Sequence, residues 1–133
     1  MGDGGFPQAL PHGELREVLP SIYLVTGAFK MARPPLCFSR NMTVVPEPAG
    51  LVLVNSVRLS DQGLKQLDAL GKVTDVIRLA GFHGRDDGFY KDRYGAKVWA
   101  VKGQRYTTDF ETNAKKEYFL LISPPSRLLP SSG

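Results

Sequence analysis

The stretch MTVVPEPAGLVLVNS, residues 42–56, decides the fold class of this chain. Residues 42–45 and 50–54 are runs of β-branched and aliphatic side chains, and the short segment between them contains two prolines. Such runs, separated by residues that favour turns, predict two antiparallel strands joined as a hairpin. This hairpin is the clearest pair of strands in the sequence.

A helix and further elements are predicted C-terminal to the hairpin. The helix opens after Ser60, a favourable N-cap, carries leucines at helical spacing, and stops at Gly71, which suits a left-handed C-cap. The next predicted elements are a strand over residues 73–79, a polar loop over 81–88, a short helix over 89–94 and a strand over 97–101.

The segment before the hairpin has a weaker pattern. Apolar residues recur from Leu15 to Val25, but Pro20 interrupts them and argues against a helix. A short strand over residues 22–26, ended by Gly27, is therefore predicted.

The two ends of the chain differ in composition from its centre. Residues 1–13 are rich in Gly and Pro, which predicts a flexible or loosely docked arm. Residues 119–133 begin with a short apolar run that prolines close off, which predicts an irregular tail. One folded unit is expected over residues 14–118.

The order of elements predicts an α/β layered fold. Strands alternate with helices after the hairpin, and the apolar runs suit inner strands that are covered on both sides. We therefore expect a mixed β-sheet with helices packed on one face.

Composition limits the functional classes. The formal charge of +4 comes from 17 Lys and Arg against 13 Asp and Glu, and the two signs are interspersed, which favours a solvated mixed-charge surface over a nucleic-acid interface. The single cysteine, Cys37, excludes an internal disulfide framework and is predicted to be buried. No signal peptide or membrane span is apparent, so a soluble cytoplasmic protein without membrane partners is expected.

The pieces resemble, in order, the N-terminal half of metallo-β-lactamase-fold metallohydrolases. That fold begins with a β-hairpin, then a helix, a strand and a loop bearing the motif HxHxDH. The corresponding segments here are the hairpin MTVVPEPAGLVLVNS, the helix SDQGLKQLDALG, the strand VTDVIRLAG and the loop FHGRDDG. The resemblance covers roughly residues 15–105. It implies an αββα-type layered fold of which this chain holds only the first half.

The metal-binding motif of that family is degenerate here. His83 and Asp87 stand at the first histidine and the aspartate, whereas Arg85 and Gly88 replace the other two histidines. Asn55 stands where the family has a strand-end aspartate. The resemblance thus implies a zinc hydrolase by descent, with His83 and Asp87 as the remaining metal ligands and an inactive site. No bound cofactor is expected, and zinc is the one cofactor that the resemblance implies.

The loop residues have alternative roles. A loop histidine such as His83 often hydrogen-bonds to backbone or to a carboxylate instead of binding metal. Asp86 and Asp87 are suited to cap the helix that follows. Arg85 opposes a divalent cation by its charge, and its guanidinium is suited to pair with Asp87 or with a ligand anion. Arg85, Asp86 and Asn55 are therefore candidate anion-site or loop residues.

Two functional hypotheses follow. The first is a metallo-β-lactamase-like protein, a metal-dependent hydrolase by descent with an inactive site and an unknown small-molecule substrate. The alternative is a non-catalytic binding or structural module that self-associates as a dimer or larger homo-oligomer through its sheet edge. Nucleic acid is not an expected partner in either case.

Overall fold

A computed structural model of the chain describes residues 5–31, 36–79, 84–100 and 118–120. Their elements, in chain order, are β1 (Arg16–Leu19), β2 (Ile22–Met31), β3 (Leu36–Glu47), β4 (Gly50–Val54), α1 (Asp61–Leu70), β5 (Val73–Arg78), α2 (Asp87–Tyr94), β6 (Lys97–Ala100) and β7 (Tyr118–Leu120). No helix in these ranges has the length and apolar character needed to cross a lipid bilayer.

The described strands form one mixed sheet in the order β1-β2-β3-β4-β5-β6-β7. The pairs from β1 to β4 are antiparallel, and those from β4 to β7 are parallel. Parallel neighbours need crossover connections, and α1 and α2 provide them between β4 and β5 and between β5 and β6. The predicted α/β fold with a mixed sheet is confirmed.

The core lies between the sheet and the helices. Val44, Leu53, Val76 and Val98 stand opposite one another in neighbouring strands and are fully buried. Because side chains alternate between faces along a strand, their strand neighbours point to the other face. The helices complete the core with Leu64 and Leu67 from α1 and with Phe89 and Tyr90 from α2.

Helix α1 follows the predicted boundaries. The Ser60 hydroxyl accepts a hydrogen bond from the Gly63 backbone N–H, as expected of an N-cap. His12 adds a second cap, because its Nε2 accepts the Ser60 backbone N–H at 2.7 Å. Gly71 was expected to adopt the left-handed helical conformation, but its φ of 152° and ψ of −174° lie outside that region, and the chain leads directly into β5.

The predicted strand over residues 22–26 is too short. Strand β2 runs on to Met31, and β1 precedes it across a tight turn at Pro20 and Ser21. Gly27 does not end the strand; it pairs with Arg40 on one side and with His12 on the other. A Cβ at Gly27 would lie 2.9 Å from Val57 Cγ1, so close packing explains this glycine.

Further differences concern Cys37, α2 and β7. Cys37 is exposed, contrary to the prediction, because the start of β3 lies outside the core. Helix α2 begins at Asp87, before the predicted start at Phe89. Strand β7 pairs in parallel with β6 and lies where the irregular tail was expected to begin.

Candidate functional site

The predicted motif loop meets the ends of two inner strands at one edge of the sheet. Strands β4 and β5 are parallel, so their carboxyl ends lie side by side, followed by residues 55–58 and 79. The N-terminus of α2 packs against the same edge, since the Tyr90 hydroxyl donates to the Val57 carbonyl at 2.7 Å. Ligand sites in open α/β sheets lie at this edge.

Asp87 is the innermost acidic residue of this region. Its side chain is fully buried, and its two carboxylate oxygens accept hydrogen bonds from Ser56 Oγ at 2.6 Å and from Arg78 Nε at 3.0 Å. Arg78 is equally buried at 1% exposure. A buried carboxylate needs such compensation, so Asp87 is committed to an internal ion pair.

The neighbouring carboxylate, Asp86, is also fully buried. It accepts hydrogen bonds from the Arg58 backbone N–H at 2.8 Å, from Arg40 Nη1 at 3.2 Å and from Arg85 Nη1 at 2.7 Å. Asp86 stands at the N-cap position of α2, but its side chain makes no capping hydrogen bond to this described helix. Asp86 does not provide the predicted capping hydrogen bond, because the arginines engage its carboxylate, and Asp87 lies in the first turn of α2 with its carboxylate bound by Ser56 and Arg78.

Arg40, Arg58 and Arg85 together form what we name the arginine cluster around Asp86. Burial lowers the pKa of Arg85; Asp86 opposes this effect, and the like charges of Arg40 and Arg58 add to it. Arg40 lies 5.4 Å from the Phe29 ring centre, and its Nε and Nη2 atoms are buried without a hydrogen-bond partner among the described residues. Buried donors of this kind are rare in folded proteins.

The N-terminal arm lies across the arginine cluster. Arg58 Nη1 donates to the Pro7 carbonyl and Arg85 Nη2 to the Gln8 carbonyl, each at 2.7 Å. The ring of Phe6 contacts Phe89 edge to face, with a centroid separation of 6.5 Å. Arg58 stacks over the same Phe89 ring at 4.1 Å. The described part of the arm is thus held by specific contacts at this edge of the sheet.

Arg78 and Arg85 each pair with a different aspartate. Arg85 was expected to pair with Asp87, but it pairs with Asp86, and Asp87 pairs with Arg78. Asn55 lies at the end of β4 with a φ of 58°, and its Oδ1 accepts the Leu79 backbone N–H at 3.0 Å. Its role there is to join the ends of β4 and β5. His83 lies outside the described residues.

Comparisons with solved structures identify the fold. The chain superposes on the metallo-β-lactamase FIM-1 from Pseudomonas aeruginosa, in its mono-zinc form, with a TM-score of 0.54 and 11% identity, covering 84% of this chain and 48% of that one. The chain has the fold of about half of a metallo-β-lactamase. The DIM-1 metallo-β-lactamase gives a TM-score of 0.51 and 18% identity, over 83% of this chain and 52% of that one.

The likeness to metallo-β-lactamases is one of structure. The chain spans about half the length of each of these two enzymes. No protein-family model matches the sequence, and no curated protein is significantly similar to it.

The described residues at this edge do not fit the zinc site that a metallo-β-lactamase fold implies. A zinc ligand must offer an available lone pair at about 2.0–2.2 Å, whereas Ser56 and Arg78 engage the Asp87 carboxylate. Arg85 brings a permanent positive charge to the same loop. Among the residues that the structure describes, no group of three or more His, Cys, Asp or Glu is placed to hold a metal ion.

Four residues of this site were missed from the sequence: Arg40, Ser56, Arg58 and Arg78. One signal was available, because Arg78 stands within the apolar run VTDVIRLAG. A charged residue in a buried strand requires a partner. Arg40 and Arg58 carry no such signal, since arginine is ordinary in exposed strands and loops.

The burial of Asp87 predicts a pH effect on stability. Burial raises the pKa of Asp87 above its ordinary value of 3.8, and Arg78 and Ser56 partly offset this. A carboxyl with a raised pKa binds more protons in the folded state, so its contribution favours folding at acid pH and is lost as pH rises through the folded pKa. We expect the native chain to lose stability relative to Asp87→Asn as the pH rises above 3.8, the ordinary pKa of this carboxyl.

Urea unfolding of both proteins at several pH values measures this difference. The asparagine side chain cannot titrate, so the variant supplies the reference for all other groups. A native chain that instead gains stability relative to the variant with rising pH would show that the Arg78 ion pair outweighs burial and lowers the pKa of Asp87.

Proposed function

We propose that this chain is a non-hydrolytic module of the metallo-β-lactamase fold, in which internal ion pairs replace the metal at the end of the sheet. The observation that carries the proposal is the Asp87 carboxylate, which is fully buried and bound by Ser56 and Arg78. A zinc ion at this oxygen would have to displace a guanidinium at 3.0 Å and remain close to its charge. Hydrolysis by zinc-bound hydroxide requires such a metal.

The arginine cluster supports a binding role in place of hydrolysis. The residue at the second histidine of the motif, Arg85, contributes a fork of hydrogen-bond donors to the site, and Arg40 contributes buried donors that no described residue satisfies. Arginine recognises carboxylates and phosphates through such donors. The remaining function of this edge of the sheet is therefore recognition of an acidic group.

Zinc stoichiometry tests the proposal. The purified full chain is equilibrated with zinc, freed of excess metal by gel filtration and measured by elemental analysis, alongside His83→Ala and Asp87→Asn. We expect far less than one zinc per chain in all three proteins, and no zinc-dependent hydrolysis of a chromogenic β-lactam. One zinc per native chain that both substitutions remove would overturn the proposal.

Self-association through the sheet edge is a separate part of the alternative hypothesis, and we propose it for β1. This edge strand is exposed along its whole length, and Leu19 is 63% exposed. Unpaired strand edges favour pairing with another chain. Light scattering during gel filtration measures the mass directly: a dimer that Leu19→Lys converts to monomer supports edge pairing, and a monomeric native chain contradicts it.

A further inference from the structure

The arm and the arginine cluster are joined by contacts that resemble ligand binding. The Pro7 and Gln8 carbonyl oxygens each receive a guanidinium N–H at 2.7 Å, the distance typical of a charge-assisted hydrogen bond. The acceptors are neutral, although the donors are cations. Hydrogen bonds between two charged partners are stronger than those with one neutral partner.

The charge of the cluster favours a dianion. Arg40 and Arg85 bring two guanidinium groups to the Asp86 carboxylate, which also accepts the Arg58 backbone N–H. Burial lowers the pKa of Arg85, Asp86 opposes this effect, and the like charges of Arg40 and Arg58 add to it. A phosphate group carries about −1.5 to −2 charges at neutral pH and offers three acceptor oxygens, which suits two guanidinium groups that share one carboxylate.

Arg40 supplies an independent indication of a ligand. Its Nη1 binds Asp86, but its Nε and Nη2 are buried without a hydrogen-bond acceptor in the described part of the chain. The Phe29 ring centre lies 5.4 Å from this guanidinium. The ring offers no hydrogen-bond acceptor in the plane of the guanidinium, where the two N–H groups point. An anion beside Arg40 would accept hydrogen bonds from these two N–H groups.

From these contacts we propose that the arginine cluster is a phosphate-binding site that residues 6–8 of the arm cover. In the phosphate-bound state, phosphate oxygens replace the Pro7 and Gln8 carbonyl oxygens as hydrogen-bond acceptors. Residues 6–8 of the arm then move away from the arginine cluster. The arm then stays attached at His12, whose Nε2 accepts the Ser60 backbone N–H and whose backbone bridges to Gly27. The proposal rests on the metal-free binding role proposed above and names its ligand class.

The arm competes with the ligand in this arrangement, so loosening the arm strengthens binding. Phe6→Ala removes the edge-to-face contact with Phe89 and leaves all three arginines in place. The apparent dissociation constant depends on the fraction of chains with an open site. Because an aromatic pair contributes about 1 kcal/mol, we expect Phe6→Ala to bind inorganic phosphate about fivefold more tightly than the native chain.

NMR titration of the full chain with inorganic phosphate tests the site, with acetate at the same ionic strength as the comparison. We expect saturable shifts at residues 6–8 and at the arginine cluster with phosphate, and weaker shifts with acetate. Arg85→Gln should weaken phosphate binding at least about tenfold, whereas Arg93→Gln, at an exposed arginine of α2, should not change it.

Two results would overturn the proposal: no saturable shift in either the native chain or Phe6→Ala, or equal losses from Arg85→Gln and Arg93→Gln. Circular dichroism establishes that each variant is folded. If Arg85→Gln does not fold, Arg85→Lys replaces it, because lysine keeps the charge and loses the fork; we expect binding about threefold to tenfold weaker. A chain that binds zinc stoichiometrically and not phosphate fails both proposals, whereas a zinc-free chain without phosphate binding fails this one alone.

Discussion

We expect Arg78→Met to lower the free energy of unfolding by about 3–5 kcal/mol, the usual effect of removing one partner of a buried ion pair. Asp87 would remain fully buried, with Ser56 Oγ as its remaining side-chain donor in the native arrangement of the described residues. Methionine fills a similar volume, so the loss comes mainly from the charge and not from a cavity. Urea unfolding followed by circular dichroism measures the change.

Two companion substitutions separate the ion pair from general effects of removing arginine. Arg93→Met removes the surface pair with Asp68, in which the side chains are 45% exposed and 3.9 Å apart, and should change stability by less than about 1 kcal/mol. Adding Asp87→Asn to Arg78→Met should recover part of the lost stability, since the buried charge is then absent. Equal losses from Arg78→Met and Arg93→Met would contradict a buried, coupled pair.

Gly84→Ala is the second large effect that we expect. Gly84 has a φ of +132°, a conformation that residues with a Cβ rarely adopt, and a Cβ there would collide with the Arg78 guanidinium. That guanidinium cannot move away without leaving Asp87. Overpacking and backbone strain together should lower the free energy of unfolding by about 3 kcal/mol.

Gly95→Ala is the matched control for Gly84→Ala. Gly95 ends α2 in the left-handed conformation, with a φ of +67°, and a Cβ there would meet no atom of the described residues within 4 Å. Only the strain of the left-handed backbone applies, so the free energy of unfolding should fall by about 1 kcal/mol. Thermal unfolding of the two variants gives the comparison. If both glycines tolerate alanine equally, the guanidinium of Arg78 is not fixed where the structure places it.

The parts of the fold that the sequence predicted are those fixed by local rules. The hairpin around Pro48 and the helix after Ser60 depend on turn chemistry, capping and spacing within a few residues. Both are present in the structure. The extension of β2 through Gly27 depends on a neighbour distant in sequence, because His12 and Arg40 pair with this residue from opposite sides. No local pattern contains that information.

The sequence singled out some of the residues at this edge of the sheet but not the contacts between them. The loop that carries Arg85, Asp86 and Asp87 does lie at the carboxyl ends of the inner strands. Which arginine meets which aspartate depends on side-chain directions, since Arg78 at the end of β5 reaches Asp87 at the start of α2. The spacing of residues in the sequence cannot show that two adjacent aspartates bind different partners.

The contact between the arm and the loop has a consequence for the order of folding during synthesis. Gln8 and Arg85 are 77 positions apart, and closing a long loop carries an entropic penalty that only later contacts repay. The strands from β1 to β4 pair locally and can assemble while the ribosome is still adding α2. Pro7 and Gln8 leave the ribosome well before Arg85 but reach their final position only after it, and until Arg85 emerges they are open to chaperones and to proteases.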